Sequence, residues 1–388
     1  MKLLLRTTMV FWAGIVFFGL LTGAENGNSP DTKSFTVKKG GILRVNLNGG
    51  DIRLIPWEKD QIDVRVRGSG ENDEDAIDVK QRDNTIVVQS DEEEEWNGGT
   101  RVEISLPSQF DVDVRTAQGD ITIDGAITGK ISGSTSGGDI RIANVTGIVD
   151  MRTSGGDVRA GEVKGDLTLK TSGGDITAGA VTGDADISTS GGNIRMKDVG
   201  KTLWAKTAGG DIDVGSIGGE ATISTSGGNI VAGKVSARAS LSTAGGDIEL
   251  LGAVGRIKAK TAGGNLRLYN LVGSIDGETA GGEIAAELTP DGSGSSRLRT
   301  AGGNVRLDVP ENAKATIEAT IRIRDHWKYA KDEYKIRSVF TTDKYVVDSD
   351  EHEIRATYTL NGGGAAISLE TVNADIDIGK IGSHKKLE

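Results

Sequence analysis

The chain of 388 residues is long enough for two ordinary domains or for one elongated repeat domain. Its 57 Gly stand against 5 Trp, 5 Tyr and 6 Phe, a balance that argues against a thick globular core, and the absence of Cys excludes disulfides, thiolate metal sites and thiol nucleophiles. A formal charge of −11 argues against a nucleic-acid partner, whose binding needs clustered Lys and Arg.

At the start of the chain, Lys2 and Arg6 precede an apolar run from Met9 to Leu21 that ends in Thr22-Gly23-Ala24. This is the pattern of a secretory signal, residues 1–24, cleaved after Ala24. The apolar run is shorter than the roughly 20 residues a spanning helix needs, so no integral membrane segment is expected after its removal. Removing Lys2 and Arg6 takes the net charge from −11 to −13. Residues 25–34 read as a linker.

Residues 35–115 are β-rich without a fixed period. Ile42 to Leu47, Ile62 to Val66, Thr85 to Val88 and Val102 to Leu106 alternate apolar and polar residues as half-buried strands do. This segment is expected to cap a repeat array whose terminal strand edge would otherwise be exposed. The acidic run Asp91 to Glu95 reads as a solvated loop.

From residue 116 to about 310 a repeat dominates. Blocks of the form T-[SA]-G-G-[DN]-[IVL] begin at Thr135, Thr153, Thr171, Thr189, Thr207, Thr225, Thr243, Thr261 and, with Glu283 at the fifth place, Thr279, each 18 residues after the last. A variant, T-A-Q-G-D-I, begins at Thr116, and another block begins at Thr300 after an insertion around Pro290-Asp291-Gly292. Counting from each Thr as position 1, apolar residues recur at positions 6, 8, 11, 15 and 17, an alternation of strands and not of a helix. The pattern predicts two short strands per repeat, with bends at the Gly-Gly pair and at a glycine at position 13.

Identical positions that recur at fixed length become columns when coils stack about 4.8 Å apart. No Pro lies between Pro107 and Pro290, as expected where every strand has a neighbour on both sides. The fold class is therefore all-β: a single-chain parallel β-solenoid, expected to be right-handed, with 18-residue coils and β-rich caps. About eleven coils would span roughly 50 Å.

Positions 15 and 17 trade size within a coil, as in Ala185 with Ile187 and Leu203 with Ala205, which suits a narrow core of fixed width. The same alternation turns the Thr inward, predicting a buried Thr column bonded to backbone or to the next Thr. Position 5 alternates through Asp175, Asn193, Asp211, Asn229, Asp247, Asn265 and Glu283. Asn between carboxylates can donate to both. The other reading, a row of calcium ligands, lacks the G-G-x-G-x-D nonapeptide of calcium-binding solenoids.

Residues 311–388 add strands such as Ala315 to Ile323, then a charged aromatic excursion near 324–357 expected to project as hairpins. Asn361-Gly362-Gly363-Gly364 is expected to open a closing coil.

Leu106-Pro107 leading into T-A-Q-G-D-I, the serial T-S-G-G-D-I blocks and the late N-G-G-G segment together resemble a bacterial family of exported β-repeat domains of unknown function that carries the label "putative adhesin". The resemblance covers roughly residues 35–380. It implies a β-solenoid in the cell envelope or outside the cell, and supplies no catalytic residues.

Catalytic constellations are scarce. His326, His352 and His384 show no metal-binding spacing, and no nucleophile elbow or phosphate loop occurs. Outward Arg141, Arg159 and Arg195 beside Asp139, Asp157 and Asn193 could imitate the charged face of a solenoid polysaccharide lyase, although alternating charges are ordinary on a solvated face. No catalytic, metal or cofactor site is expected. Trp327, Tyr329, Tyr334, Phe340, Tyr345 and Tyr358 cluster in sequence and read either as a small satellite core or as a contact patch built on Trp327, Tyr329, Tyr334 and Tyr345. Trp204 at position 16 and Tyr269 at position 9 point outward as isolated aromatics. The expectation is an exported, non-enzymatic scaffold or adhesin of the periplasm, cell surface or extracellular space, with a surface glycan or an envelope protein as partner. The alternative is a carbohydrate-binding or polysaccharide-degrading solenoid that uses an outer face.

Overall fold

The computed structural model describes residues 32–68, 77–90, 100–324 and 333–382, and every regular element among them is a β-strand. The signal sequence, the Asp91 to Glu95 run, His326, Trp327, Tyr329 and His384 lie outside the described residues.

The repeats of Thr116, Thr135 and Thr153 contribute three strands where the sequence reads two, whereas those of Thr171, Thr189 and Thr207 keep two strands. In the repeat that starts at Thr135 these are Ile140–Ile142, Val145–Thr146 and Val149–Arg152. Each pairs in parallel with its equivalent in the next repeat: Ile140 with Val158, Val145 with Val163, and Val149 with Leu167, an offset of 18 residues in every case. The middle ladder escaped the alternation test because it is only two residues wide. Farther along it shrinks to single bridges, Val163 to Val181 to Val199 to Ile217 to Val235. In the repeats of Thr243 and Thr261 the three strands fuse into Ile248–Lys260 and Leu266–Glu278.

The columns at positions 6, 8, 11, 15 and 17 form one continuous buried core. Large and small side chains alternate within it as the narrow cross-section requires, and where Ile275 fills position 15, position 17 is Gly277, whose Cβ would lie 2.8 Å from Leu298 Cδ2.

Glycine meets the preceding coil closely at both bends. At the second residue of each doublet it is required by close approach: a Cβ on Gly192 would lie 2.1 Å from the carbonyl oxygen of Gly174 in the preceding coil, and one on Gly210 would lie 2.1 Å from that of Gly192. At position 13 a positive φ is added in several coils, 145° at Gly147 and 127° at Gly273, where a Cβ would also lie 2.0 and 2.1 Å from the carbonyl oxygens of Gly129 and Gly255.

The N-terminal cap joins the same stack. Gly41–Leu47 pairs in parallel with Phe110–Thr116, and Asp51–Trp57 pairs with Ile121–Ile123, so Leu47 to Ile52 forms a corner directly on Thr116 to Ile121. This N-G-G-D-I corner belongs to the repeat column although its first residue is Leu. Outside it, Thr85–Ser90 continues one ladder in parallel and Ile77–Arg82 pairs antiparallel to that strand. Arg101–Pro107, Gln61–Arg67 and Thr32–Thr36 continue the other, the last two antiparallel to their inner neighbours.

At the C-terminal end the strand order departs from chain order. Ala365–Val372 lies between Ser296–Arg299 and Ala315–Arg322, parallel to both. The hairpin of Lys344–Asp348 and Glu353–Leu360 adds antiparallel to Ala315–Arg322. The closing corner is Thr371 to Ile376, which stacks on Thr300 to Val305. Asn361 to Gly364, read from the sequence as that corner, is instead a turn between two strands, with φ of 50°, 84°, 82° and 156° along it.

Candidate functional site

The regular polar side chains are committed to holding coil to coil. Each Thr at position 1 is buried, as the alternation requires. Thr207 Oγ1 donates to the carbonyl of Gly192 in the preceding coil at 2.8 Å and accepts from the Gly210 N–H of its own corner at 3.3 Å. The same pair of bonds recurs from Thr135 to Thr279.

Position 5 is an acceptor column. Asp157 N–H donates to Asp139 Oδ1 at 2.8 Å, Asp175 N–H to Asp157 Oδ1 at 2.9 Å, Asn193 N–H to Asp175 Oδ1 at 2.7 Å and Asp211 N–H to Asn193 Oδ1 at 2.8 Å. The corner residue therefore needs a short side chain with an oxygen, which Asp and Asn both provide. The donation by Asn expected from the sequence is a minor feature: Asn193 and Asn265 Nδ2 each reach the preceding Asp at 3.3 Å, and no such bond is made toward the following coil. The other two corners repeat the device, with Asn144 Oδ1 accepting from Glu162 N–H and Asp184 Oδ1 from Thr202 N–H. These backbone N–H groups hold the Asp247 and Asp184 carboxyls below their ordinary range, with further help to Asp247 from the Arg267 guanidinium.

The outward arginines next to position 5 pair with those same carboxylates. Arg141 lies 2.6 Å from Asp139 and 3.1 Å from Asp120, Arg159 lies 2.8 Å from Asp157, and Arg195 lies 3.7 Å from Asp175, one coil back from the Asn193 beside it in sequence. Among the described residues no group of three or more His, Asp or Glu side chains is placed to hold a metal ion.

The aromatic cluster divides. Tyr358 is buried, and desolvation pushes its phenol up; Tyr334 and Phe340 pack against the core from its margin. Tyr345 lies on the outermost hairpin strand with 46% of its surface exposed. A shallow depression of about 410 Å³ beside this end is bordered by Arg297, Glu318 and Glu370. Glu370 is engaged there by Arg297 at 2.9 Å, Arg322 at 3.6 Å and Arg299 at 3.8 Å.

Trp204 is the only Trp between residues 116 and 310 and remains 40% exposed on the strand Leu203–Lys206. Its register places Thr222 and Ser240 in line with it on the following coils, and sequence reasoning missed this setting because the partners lie 18 and 36 residues away. No helix of the described residues is long and apolar enough to cross a membrane.

Several solved structures resemble the chain. One is titled a putative adhesin from Bacteroides fragilis: it is 18% identical, covers 74% of this chain and 100% of its own, and has a TM-score of 0.30. A second, a putative adhesin from Parabacteroides merdae, is 16% identical over 67% of this chain and 93% of its own, with a TM-score of 0.30. A third, titled a putative lipid binding protein from Parabacteroides distasonis, is 14% identical over 73% and 94%, with a TM-score of 0.25. No curated protein matches the sequence. The family model for Toastrack DUF4097 matches residues 42–218 and again 162–339, spanning the coils, most of the N-terminal segment and the start of the C-terminal one, and the chain belongs to that family.

Proposed function

We propose that the protein is an exported, non-enzymatic β-solenoid that serves as a stiff surface or adhesion-type scaffold of the bacterial cell envelope. One observation carries this reading: the side chains that recur in every coil are spent on the stack itself. Thr hydroxyls and Asp or Asn oxygens bond to neighbouring coils, and the Arg beside them pair with the same carboxylates. A catalyst needs polar groups that converge on a substrate and are free to exchange partners during turnover. A stack that consumes its polar groups in this way offers extended faces instead, which suits display and contact. The start of the sequence supports export, since Lys2 and Arg6 and the Met9 to Leu21 run have the order of a secretory signal.

Two measurements test the proposal. The mass of the protein recovered from an expressing bacterium should correspond to a chain beginning at Glu25, and an uncut chain retained in the cytoplasm would refute export. Incubation of the purified protein with a panel of cell-wall and capsular polysaccharides should release no new reducing ends. Release by the wild-type protein would replace the scaffold with a polysaccharide-degrading enzyme.

A further inference from the structure

The third strand of each coil, positions 15 to 18, presents positions 16 and 18 outward, and the register aligns them across coils. One row runs Asp186, Trp204, Thr222, Ser240, Lys258; the other runs Ser188, Lys206, Ser224, Ser242, Lys260. On either side of this stretch the same face is a lattice of ion pairs. Arg152 pairs with Asp150 at 3.1 Å, and Lys170 with Asp186 at 2.9 Å. Beyond it, Lys260 pairs with Glu278 at 2.7 Å, and Arg297 with Glu370 at 2.9 Å.

Between those pairs the pattern breaks. Thr222, Ser224, Ser240 and Ser242 form an uncharged hydroxyl plateau two coils deep, and their hydroxyls make no hydrogen bond to other described residues. At one margin stand the half-exposed Trp204 and Lys206, at the other Lys258, and neither lysine has an ion-pair partner among the described residues. In a chain of net charge −11, whose lysines and arginines along this face are otherwise largely paired, two unpaired ammonium groups bracketing a flat hydroxyl surface are a local inversion of charge.

We infer that this face binds an acidic polysaccharide lying across the coils, with one sugar ring stacked on Trp204, successive sugars bonded to the hydroxyls of Thr222 and Ser240, and carboxylate or sulfate groups met by Lys206 and Lys258. The chemistry of each part fits that ligand and fits others less well. An exposed indole offers an apolar face with a polar edge, suited to the C–H face of a sugar ring. Rows of free hydroxyls donate to and accept from sugar hydroxyls without charge. Coils about 4.8 Å apart place one row of partners per sugar of an extended chain. The two lysines, three coil steps or about 14 Å apart, give the site its sign. A lipid surface would need an apolar face to bury, whereas one indole among hydroxyls supplies little. The inference takes from the proposed scaffold role only the reason this face would meet a polysaccharide, and purified-protein binding can fail while export and scaffold stand.

The test is affinity electrophoresis and calorimetry of the chain from Glu25 onward with polygalacturonate, with heparin and dextran as more acidic and uncharged polymers, and with phosphatidylglycerol vesicles as a lipid surface. Polygalacturonate should bind, and Trp204→Ala should weaken it tenfold or more. Lys206→Gln combined with Lys258→Gln should weaken binding and flatten its dependence on salt, while Trp57→Ala on the N-terminal cap should change nothing. Ser240→Trp, which fills the plateau and leaves the indole in place, should also weaken binding. Unchanged circular dichroism and melting temperature will show that these substitutions leave the fold intact. Absence of binding to both acidic polymers, equal binding of dextran, retained affinity in Trp204→Ala, or binding of vesicles alone would each overturn the inference.

Discussion

Substituting alanine at the two glycines of one corner separates the requirement for close approach from mere turn chemistry. In Gly192→Ala the new Cβ would sit 2.1 Å from the Gly174 oxygen, 2.4 Å from its carbonyl carbon and 2.7 Å from Asp175 N, all backbone atoms. The first is more than about 1 Å inside an ordinary carbon–oxygen contact, so the two coils must part at this corner. Parting them strains the Thr189 bond to Gly174 O at 2.9 Å, the Asn193 N–H bond to Asp175 at 2.7 Å and the Gly191 N–H bond to Ser172 O at 3.0 Å. With about 1 kcal/mol for each of the three weakened bonds and about 1–3 kcal/mol for overpacking, the cost is roughly 4–6 kcal/mol. In Gly191→Ala the one contact of the Cβ tighter than van der Waals distance is with the Gly173 oxygen at 3.1 Å. A small shift relieves that contact, and the loss of unfolded-chain freedom returns about 0.4–1 kcal/mol, leaving a net change within about 1 kcal/mol. The sequence already carries a side chain at the equivalent first position in Gln118. Urea unfolding followed by circular dichroism should therefore show a large loss for Gly192→Ala and little for Gly191→Ala. Equal losses would show that the doublet is needed for backbone conformation and that the carbonyl stacking argument is wrong.

Three further outcomes follow from the corner geometry. Thr207→Val should cost about 2 kcal/mol by leaving the buried Gly192 carbonyl and Gly210 N–H without their partner, and Thr207→Ser, which keeps both bonds, should cost less in the same urea titration. Asp247 and Asp184 have lowered folded pKa values, caused first by the backbone N–H groups of Asn265 and Thr202, so their contribution is present above the ordinary carboxylate value near 3.9 and is lost as pH falls through the lowered folded values. Asp247→Asn, which keeps the acceptor and cannot be protonated, should narrow the gap between urea midpoints at neutral and acid pH, and an unchanged gap would remove Asp247 from the acid response. Asp51→Ala should loosen the N-terminal cap by about 1–2 kcal/mol, since it removes the acceptor 3.0 Å from Asp120 N and the Arg101 ion pair at 3.0 Å; hydrogen exchange should quicken at Ile52 and Asp120 before the central coils.

The sequence shows plainly what is repeated and apolar. The Val145, Val163 and Val181 column was visible as a spacing, but its ladder was not, because two-residue strands have no alternation to measure. The Thr column was legible because parity carries it inward from Leu203 and Ala205 to Thr207. The role of position 5 was only half legible. Charge alternation is a property of the column, whereas the demand for a short oxygen-bearing side chain comes from an unpaired backbone N–H that only the bend creates. Trp204 looked isolated because its neighbours on the face belong to other coils, and side-chain rows across a stack become readable once the register is known.

The two terminal corners show why a motif search stops short of both. The corner hydrogen bonds run one way: Thr donates to the Gly carbonyl of the preceding coil, and Asp accepts from the N–H of the following one. Leu47 to Ile52 is the first such corner in chain order among the described residues, and its position 1 is Leu, which has no hydroxyl to donate. Asp51 is still required, because Asp120 N–H follows it. At the other end Thr371 is retained, since the Gly303 carbonyl precedes it, and Asp375 is retained because Lys335 N–H takes the place of a following coil at 2.8 Å. The fourth residue there is Ala374, which the stacked corners would forbid. It follows Asn373, whose φ of 50° is a left-handed turn that the third residue of the Gly-Gly corners does not make, although Gly50 makes one at the fourth. The directional bonds thus account for the residues both ends keep, Asp51, Thr371 and Asp375, so the ends of the array share the bonds of its middle while sharing little of its sequence.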